Sequence, residues 1–402
     1  MPELTETQPQ PRIRLEFLDG LRGLAALYVA LFHIVSGQGL VWRDQPPALR
    51  LALGWVRYGH YAVDVFIVLS GFCLMLPVAR SAAGGLRGGT VSFLKRRAWR
   101  ILPPYYAAVG VSLLLILAAR LAHTRVQADQ PGVFSAGDLL AHLFLVHNLT
   151  WAWGGSINIV LWSVATEWQI YFLFALLLLP AWRRFGSGAA IGLGFGLGYL
   201  PHLLLPAGEN LDGARPWYLG LFAMGMAGAV VCFSGDPRRT AWLGRVPWGG
   251  LGAALGAAVV VWELRSTHEM ETLWLKDPLV GAATVCLIVS CVKSLREPGK
   301  RRASPALRLL DARPVVLLGG FSYSLYLMNI PAMWVFKLFL HPLHPSPYAE
   351  LALRLTVAPL VVLGVAYLFH LAFERPFMTG FERSPLGAQP SAAQAESQAV
   401  SP

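Results

Sequence analysis

Phe17 to Ile34 reads FLDGLRGLAALYVALFHI, an apolar run holding one arginine, Arg22, and one histidine, His33. A stretch of this length predicts a helix that crosses a membrane, and both side chains are costly inside one. They stand eleven residues apart, almost a whole number of turns at about 3.6 residues per turn. The two therefore share a helix face, with His33 roughly 16 Å further along the axis. Ionisable groups at membrane depth mark a site or a pathway. The blander readings are an arginine snorkelling to the headgroups and a histidine bonded between helices.

Working outward, the 402 residues are 55% hydrophobic and only 14% charged, with a mean hydropathy of +0.52. That composition predicts one polytopic bundle rather than several soluble domains. Residues 1–16 are a polar cytoplasmic segment with no cleavage site after the first apolar run, which reads as a retained span rather than a signal peptide. Residues 17–377 form the transmembrane domain, and 378–402, rich in Ala, Gln, Ser and Pro, read as a disordered cytoplasmic tail.

Apolar runs near 20 residues predict helices at about 17–37, 60–79, 101–121, 157–180, 187–206, 215–233, 248–264, 277–294, 315–338 and 350–373. The fold expected is thus all-α with ten spans and both termini cytoplasmic. A shorter apolar piece, Asp138 to Trp153, reads as re-entrant or interfacial. With the N-terminus inside, 22 of the 33 lysines and arginines fall on the inner side and seven in outer loops, Arg215 and Lys276 among them. This agrees with the positive-inside rule, so the net charge of +11 needs no nucleic acid. Gly192, Gly194, Gly196 and Gly198 form two overlapping GxxxG patterns that let helices approach closely. They are not a nucleotide fingerprint, since no strand precedes them.

Several stretches carry candidate chemistry. VDVFIVLSGF, Val63 to Phe72, holds Asp64 near a boundary and the small polar step Ser70-Gly71, which packing alone would also explain. Lys95 to Tyr105 reads KRRAWRILPPY, and its arginines suit phosphate, which guanidinium binds in a bidentate fork. LWSVATEWQIYF, Leu161 to Phe172, buries Glu167 with no basic residue nearby in sequence, so it must find a partner, protonate or face water. FSYSLYLMNIP, Phe321 to Pro331, offers Tyr323, Ser324, Tyr326 and Asn329, and Glu374-Arg375-Pro376-Phe377 closes the last span. Structural roles are the simpler reading of both. His142 and His147 lie five apart and share no helix face, and no carboxylate or cysteine completes a metal site with His341 and His344. The cysteines 73, 232, 286 and 291 read as small apolar packing residues.

Taken in order, R-x10-H in the first helix, VDVFIVLSGF, RRAWRILPPYY, LWSVATEWQIYF, FSYSLYL and ERPF resemble the membrane-bound acyltransferase 3 family. The resemblance implies an integral-membrane enzyme that O-acylates carbohydrates or glycosylated acceptors from cytoplasmic acyl-coenzyme A, most often acetyl, without a metal. It sets the protein in a bacterial inner or plasma membrane. One departure stands out: similar proteins often have histidine where this chain has Asn329, so that position cannot titrate as a base.

On this resemblance Arg22, Arg96, Arg97 and Arg100 hold the donor's phosphates, and the pantetheine arm runs along the first helix towards His33. His33 is the general base, Glu167 orients its ring, and transfer is direct, an acyl-histidine being the alternative. Asp19, Asp64, Ser70, Tyr105, Ser163 and Tyr326 are supporting candidates, with Ser70 or a tyrosine as oxyanion donor. The rival class is a transporter or flippase, since ten helices with buried charge also describe carriers.

Overall fold

A computed structural model describes residues 15–36, 46–81, 84–121, 135–206, 211–236, 241, 243–266, 272–297, 304–340, 343 and 346–378. Among them there is no strand, and the chain is an all-α bundle. The main helices are α1 Glu16–Ser36, α2 Ala62–Arg80, α3 Gly89–Leu121, α4 Leu161–Leu173, α5 Ser187–Leu204, α6 Tyr218–Phe233, α7 Trp248–Arg265, α8 Leu273–Arg296, α9 Ser322–Leu340 and α10 Pro347–Phe369. Among the described residues eight segments are long and apolar enough to cross a membrane, as befits a multi-pass integral membrane protein. The two helices outside that set, α5 and α7, have 18 residues each and are diluted by glycine. The predicted N-terminal segment and tail, save Leu15, Glu16 and Met378, lie outside the described residues, as do His341 and His344.

The structure departs from the expected spans in three places. α3 starts at Gly89, twelve residues before the predicted span, so the basic run at 95–100 is helix rather than loop. The span predicted at 315–338 is broken into Arg313–Gly320 and α9, with Phe321 between them. Arg215 and Lys276, assigned to outer loops, are 7% and 0% exposed. Their partners are described below.

Asp138 to Trp153 does not cross. It folds as Ala136–Leu143, a 3-10 turn His147–Leu149 and Trp151–Gly154, all too short to span a bilayer. A capping box starts it: Ser135 accepts from the Asp138 N–H, and the Asp138 carboxylate accepts from the Ser135 N–H at 2.6 Å. Burial opposes that carboxylate's charge, yet the Ser135 hydroxyl and N–H hold it below its ordinary value. Leu145 takes a left-handed backbone, φ 53°, and beyond this turn His147 stacks on His142 with centroids 3.9 Å apart and planes 7° apart. Helix periodicity had kept these rings apart; a turn between them removes that constraint. Burial, reinforced by His142, pushes the His147 imidazole down to about 3. Among the described residues no cluster of metal-ligating side chains occurs.

Packing rests on close backbone approach. A Cβ at Gly71 of α2 would sit 2.1 Å from Phe222 O of α6, and one at Gly225 of α6 would sit 2.1 Å from Val68 O. In α5 the glycine stripe divides: Gly194 and Gly198 press on α6 near Leu219 O and Trp217, whereas Gly192 and Gly196 face open space. Half of the GxxxG expectation therefore builds the bundle. α1 runs through its middle, packed on Arg313–Gly320, α9, α2 and the 3-10 segment Gly54–Tyr61.

Candidate active site

A cavity of about 380 Å³ opens between α1, α2, α3, α4 and the broken α9. Its charged lining is Asp19, Arg22, Arg97, Arg100, Glu167 and Glu374. Arg22 donates to Asp19 Oδ1 at 2.9 Å and to Cys73 Sγ at 3.0 Å, and Glu167 is near enough to act on its charge. Cys73 is thus a cavity residue as well as a packing one, and all four cysteines are free. Arg22 and Arg97 both bear on Arg100 as like charges. Arg97 Nε is buried without a hydrogen-bond partner. A concentration of guanidinium groups with donors to spare is an anion site in chemical terms.

Of the basic run in α3, Arg97 and Arg100 line the cavity and Arg96 does not, although helix phase alone would keep Arg96 within about 40° of Arg100. Arg96 instead donates to Ser92 Oγ at 2.7 Å and Arg87 O at 2.8 Å, outside the cavity lining. Reading this run as a loop had grouped all three.

Tyr171 OH donates to Glu167 Oε1 at 2.6 Å, and Glu167 bears on Arg22 through its charge. Ser70, Ser163 and Tyr326 also line the cavity. Ser163 Oγ and Tyr326 OH are 2.6 Å apart, and Tyr326 OH lies 3.1 Å from Val160 O. His33 is not among the lining residues. It contacts the Asn329 side chain, one turn beyond Tyr326 on α9. Tyr326 thus lies on the cavity, and the next turn of the same helix carries the residue that meets His33.

Two supporting candidates belong to other structures. Tyr105 is fully buried and donates to His142 O at 2.8 Å, tying α3 to the short helices. Asp64 belongs to a second network, 4.0 Å from Arg215, which also reaches Asp277 at 3.4 Å. Trp217 Nε1 donates to Asp277 at 2.8 Å. Lys276 pairs with Glu263 at 2.8 Å, and the Tyr61 hydroxyl donates to the same carboxylate.

Sequence reasoning missed the part played by Glu374. It accepts from Ser324 N–H at 3.1 Å and Ser324 Oγ–H at 2.6 Å, with His370 Nδ1 2.9 Å away. This fastens the first turn of α9 to the π-helical turn His370–Glu374. A second π turn, Phe174–Leu178, follows the helix that carries Glu167; such turns recur at functional sites. The available signal was an acid at the end of the last span, with ERPF around it.

A family model described as an acyltransferase domain matches residues 15–371. The chain belongs to the acyltransferase 3 family. Among its relatives, BcsY of Komagataeibacter xylinus, provisionally named a membrane-bound transacylase, is 28% identical over 178 residues, 42% of this chain and 39% of the relative. YrhL of Bacillus subtilis, provisionally named a peptidoglycan O-acetyltransferase, is 25% identical over 336 residues, 79% of this chain and 48% of the relative. The O-acetyltransferase OatA of Staphylococcus aureus is 26% identical over 180 residues, 42% of this chain and 25% of the relative. The matches thus cover from a quarter to about half the length of these relatives. No solved structure matches this acyltransferase-family chain.

Proposed function

We propose that this protein is a membrane O-acyltransferase that moves an acyl group, acetyl first of all, from coenzyme A to a hydroxyl of a carbohydrate or glycosylated acceptor. The observation that carries the reading is the gathering of Arg22, Arg97 and Arg100 on one cavity, with Arg97 Nε unpartnered. Coenzyme A is anionic at its nucleotide end, and guanidinium groups suit its phosphates. The family supports acyl transfer, and the printed names of YrhL and OatA support an acetyl group. We further propose ten crossings with both termini cytoplasmic, on the bias of lysine and arginine, in a bacterial plasma membrane.

In this reading Arg22, Arg97 and Arg100 bind the donor, and its arm points along α1 over the roughly 16 Å to His33. The thioester passes the Ser163–Tyr326 pair to reach the base. His33 takes the acceptor hydroxyl proton as oxygen bonds to the acyl carbon; the C–S bond breaks, and the proton passes to the leaving thiolate. Glu167 acts through Arg22 and Tyr171, keeping the donor arginine in place. The Tyr326 hydroxyl is the candidate oxyanion donor.

Purified protein given acetyl-coenzyme A, with and without peptidoglycan fragments or glycosides, tests this through release of free thiol. Acceptor-dependent release is expected. The His33→Ala variant should insert and fold normally yet transfer about 10²- to 10⁴-fold more slowly. Undiminished transfer by that variant rules out His33 as base. Solute movement across vesicles with no thiol release would favour the carrier class.

A further inference from the structure

Asn329 is 0% exposed, on the helix that lines the cavity. Its Nδ2 donates to Tyr326 O at 2.6 Å and more weakly to Leu325 O at 3.4 Å. Carbonyl oxygens only accept, so these bonds fix which way the amide points: its NH₂ faces the backbone and Oδ1 faces away. That Oδ1 is buried and has no partner at ordinary hydrogen-bond geometry.

Across from it, His33 Nδ1 is likewise buried and without a partner, although the two side chains are in contact. A buried acceptor and a buried ring nitrogen on two side chains in contact, each unmatched, can satisfy one another, and leaving both unmade is costly. His33 Nε2 is not among the buried unpartnered atoms. A ring that donates from one nitrogen presents a lone pair on the other.

We infer that Asn329 is a positioning residue that accepts a hydrogen bond from His33 Nδ1–H and so leaves Nε2 as the base. The inference rests on the proposed acyl transfer for its function, and on the amide and imidazole alone for its geometry. It gives a positive role to a side chain that cannot titrate.

The local fold holds Asn329 in register. Pro331 lacks an N–H, which frees the Leu327 carbonyl four residues earlier, and Asn158 Nδ2 donates to that carbonyl at 3.1 Å. On the other side of α1, the Phe32 ring lies 5.0 Å from His33 and 6.2 Å from His60. His60, on the 3-10 segment packed against α1, is therefore the titratable ring on that flank, and Asn329 faces His33 from α9.

Two experiments test the inference. In thiol-release assays, Asn329→Ala should lower kcat at least tenfold with donor KM unchanged. Asn329→Asp, nearly isosteric, should move the acid limb of the kcat/KM profile up by a pH unit or more, because a carboxylate stabilises the imidazolium. A purely structural role would not move that limb. Wild-type kcat in Asn329→Ala, or an unmoved limb in Asn329→Asp, overturns the inference. Independently of turnover, ¹⁵N spectra of histidine-labelled protein, assigned by difference from His33→Gln, should show His33 protonated at Nδ1 and lose that preference in Asn329→Leu. If the spectra show the other tautomer in the unsubstituted protein, the inference fails. If they show Nδ1–H but no thiol is released, only the acyl-transfer reading fails.

Discussion

In the cavity Arg22, Arg97 and Arg100 stand with Asp19, Glu167 and Glu374 around open space, whereas the second network, built on Asp64, Arg215, Asp277, Lys276 and Glu263, packs its ion pairs between helix ends. Every member of that network is at most 7% exposed, and it links the ends of α2, α6, α7 and α8. Ionised groups at membrane depth are expensive in both places. The network offsets part of the cost through ion pairs and bonds from Trp217 and Tyr61, with both Asp64 oxygens buried and without a hydrogen-bond partner. In the cavity Asp19 pairs with Arg22, and Arg97 Nε is left unpartnered beside open space that an anion can enter. Open space beside the charges therefore separates the two roles better than burial does.

The sharpest way to break this contrast is to remove one member from each region. Lys276→Met strands the Glu263 carboxylate and should cost about 3–5 kcal/mol, read as a steep fall in folded yield and Tm in detergent. Adding Glu263→Leu should recover most of the loss. If Lys276→Met leaves Tm unchanged, the network does not hold the fold.

Arg100→Ala should act the other way. Losing one like charge leaves Tm level or slightly higher, while donor KM rises about 10- to 100-fold, the equivalent of about 1.5–3 kcal/mol for a hydrogen bond to a charged group. A similar fall in Tm in both variants would erase the distinction between the regions.

The effect that vanishes at neutral pH concerns the His142–His147 stack, which holds its charge off by burial. The His147 value, about 3 in the fold against about 6.5 in an unfolded chain, fixes the sign. The unfolded state binds more protons between those values, so stability is fully present above about pH 6.5 and declines as pH falls towards 3. The slope from this ring approaches about 1.4 kcal/mol per pH unit. Melting curves from pH 7 to pH 4 should show the decline, and His147→Phe should flatten it.

How far the site was legible differs from residue to residue. Arg22 was readable because one helix face is a matter of spacing. Arg97 and Arg100 were readable as a phosphate-binding run, but their separation from Arg96 was not, since it depends on the bonds Arg96 makes to Ser92 and Arg87. The purpose of Asp64 was illegible because its partners lie more than a hundred residues away, at Arg215 and Asp277. Cys73 and Glu374 owe their cavity roles to contacts with Arg22 and Ser324 that no local pattern encodes.

By itself the sequence determined the all-α membrane character and the positions of most helices, because hydropathy and helix period are properties of contiguous residues. It also determined the family, which lives in ordered motifs. Only the tertiary structure decided which charges pair and which are left open, that Glu167 accepts from Tyr171, and that His33 stands against Asn329. Most of those relations join helices distant in the chain, and distance through the bundle, not along it, sets the strength of a hydrogen bond or an ion pair.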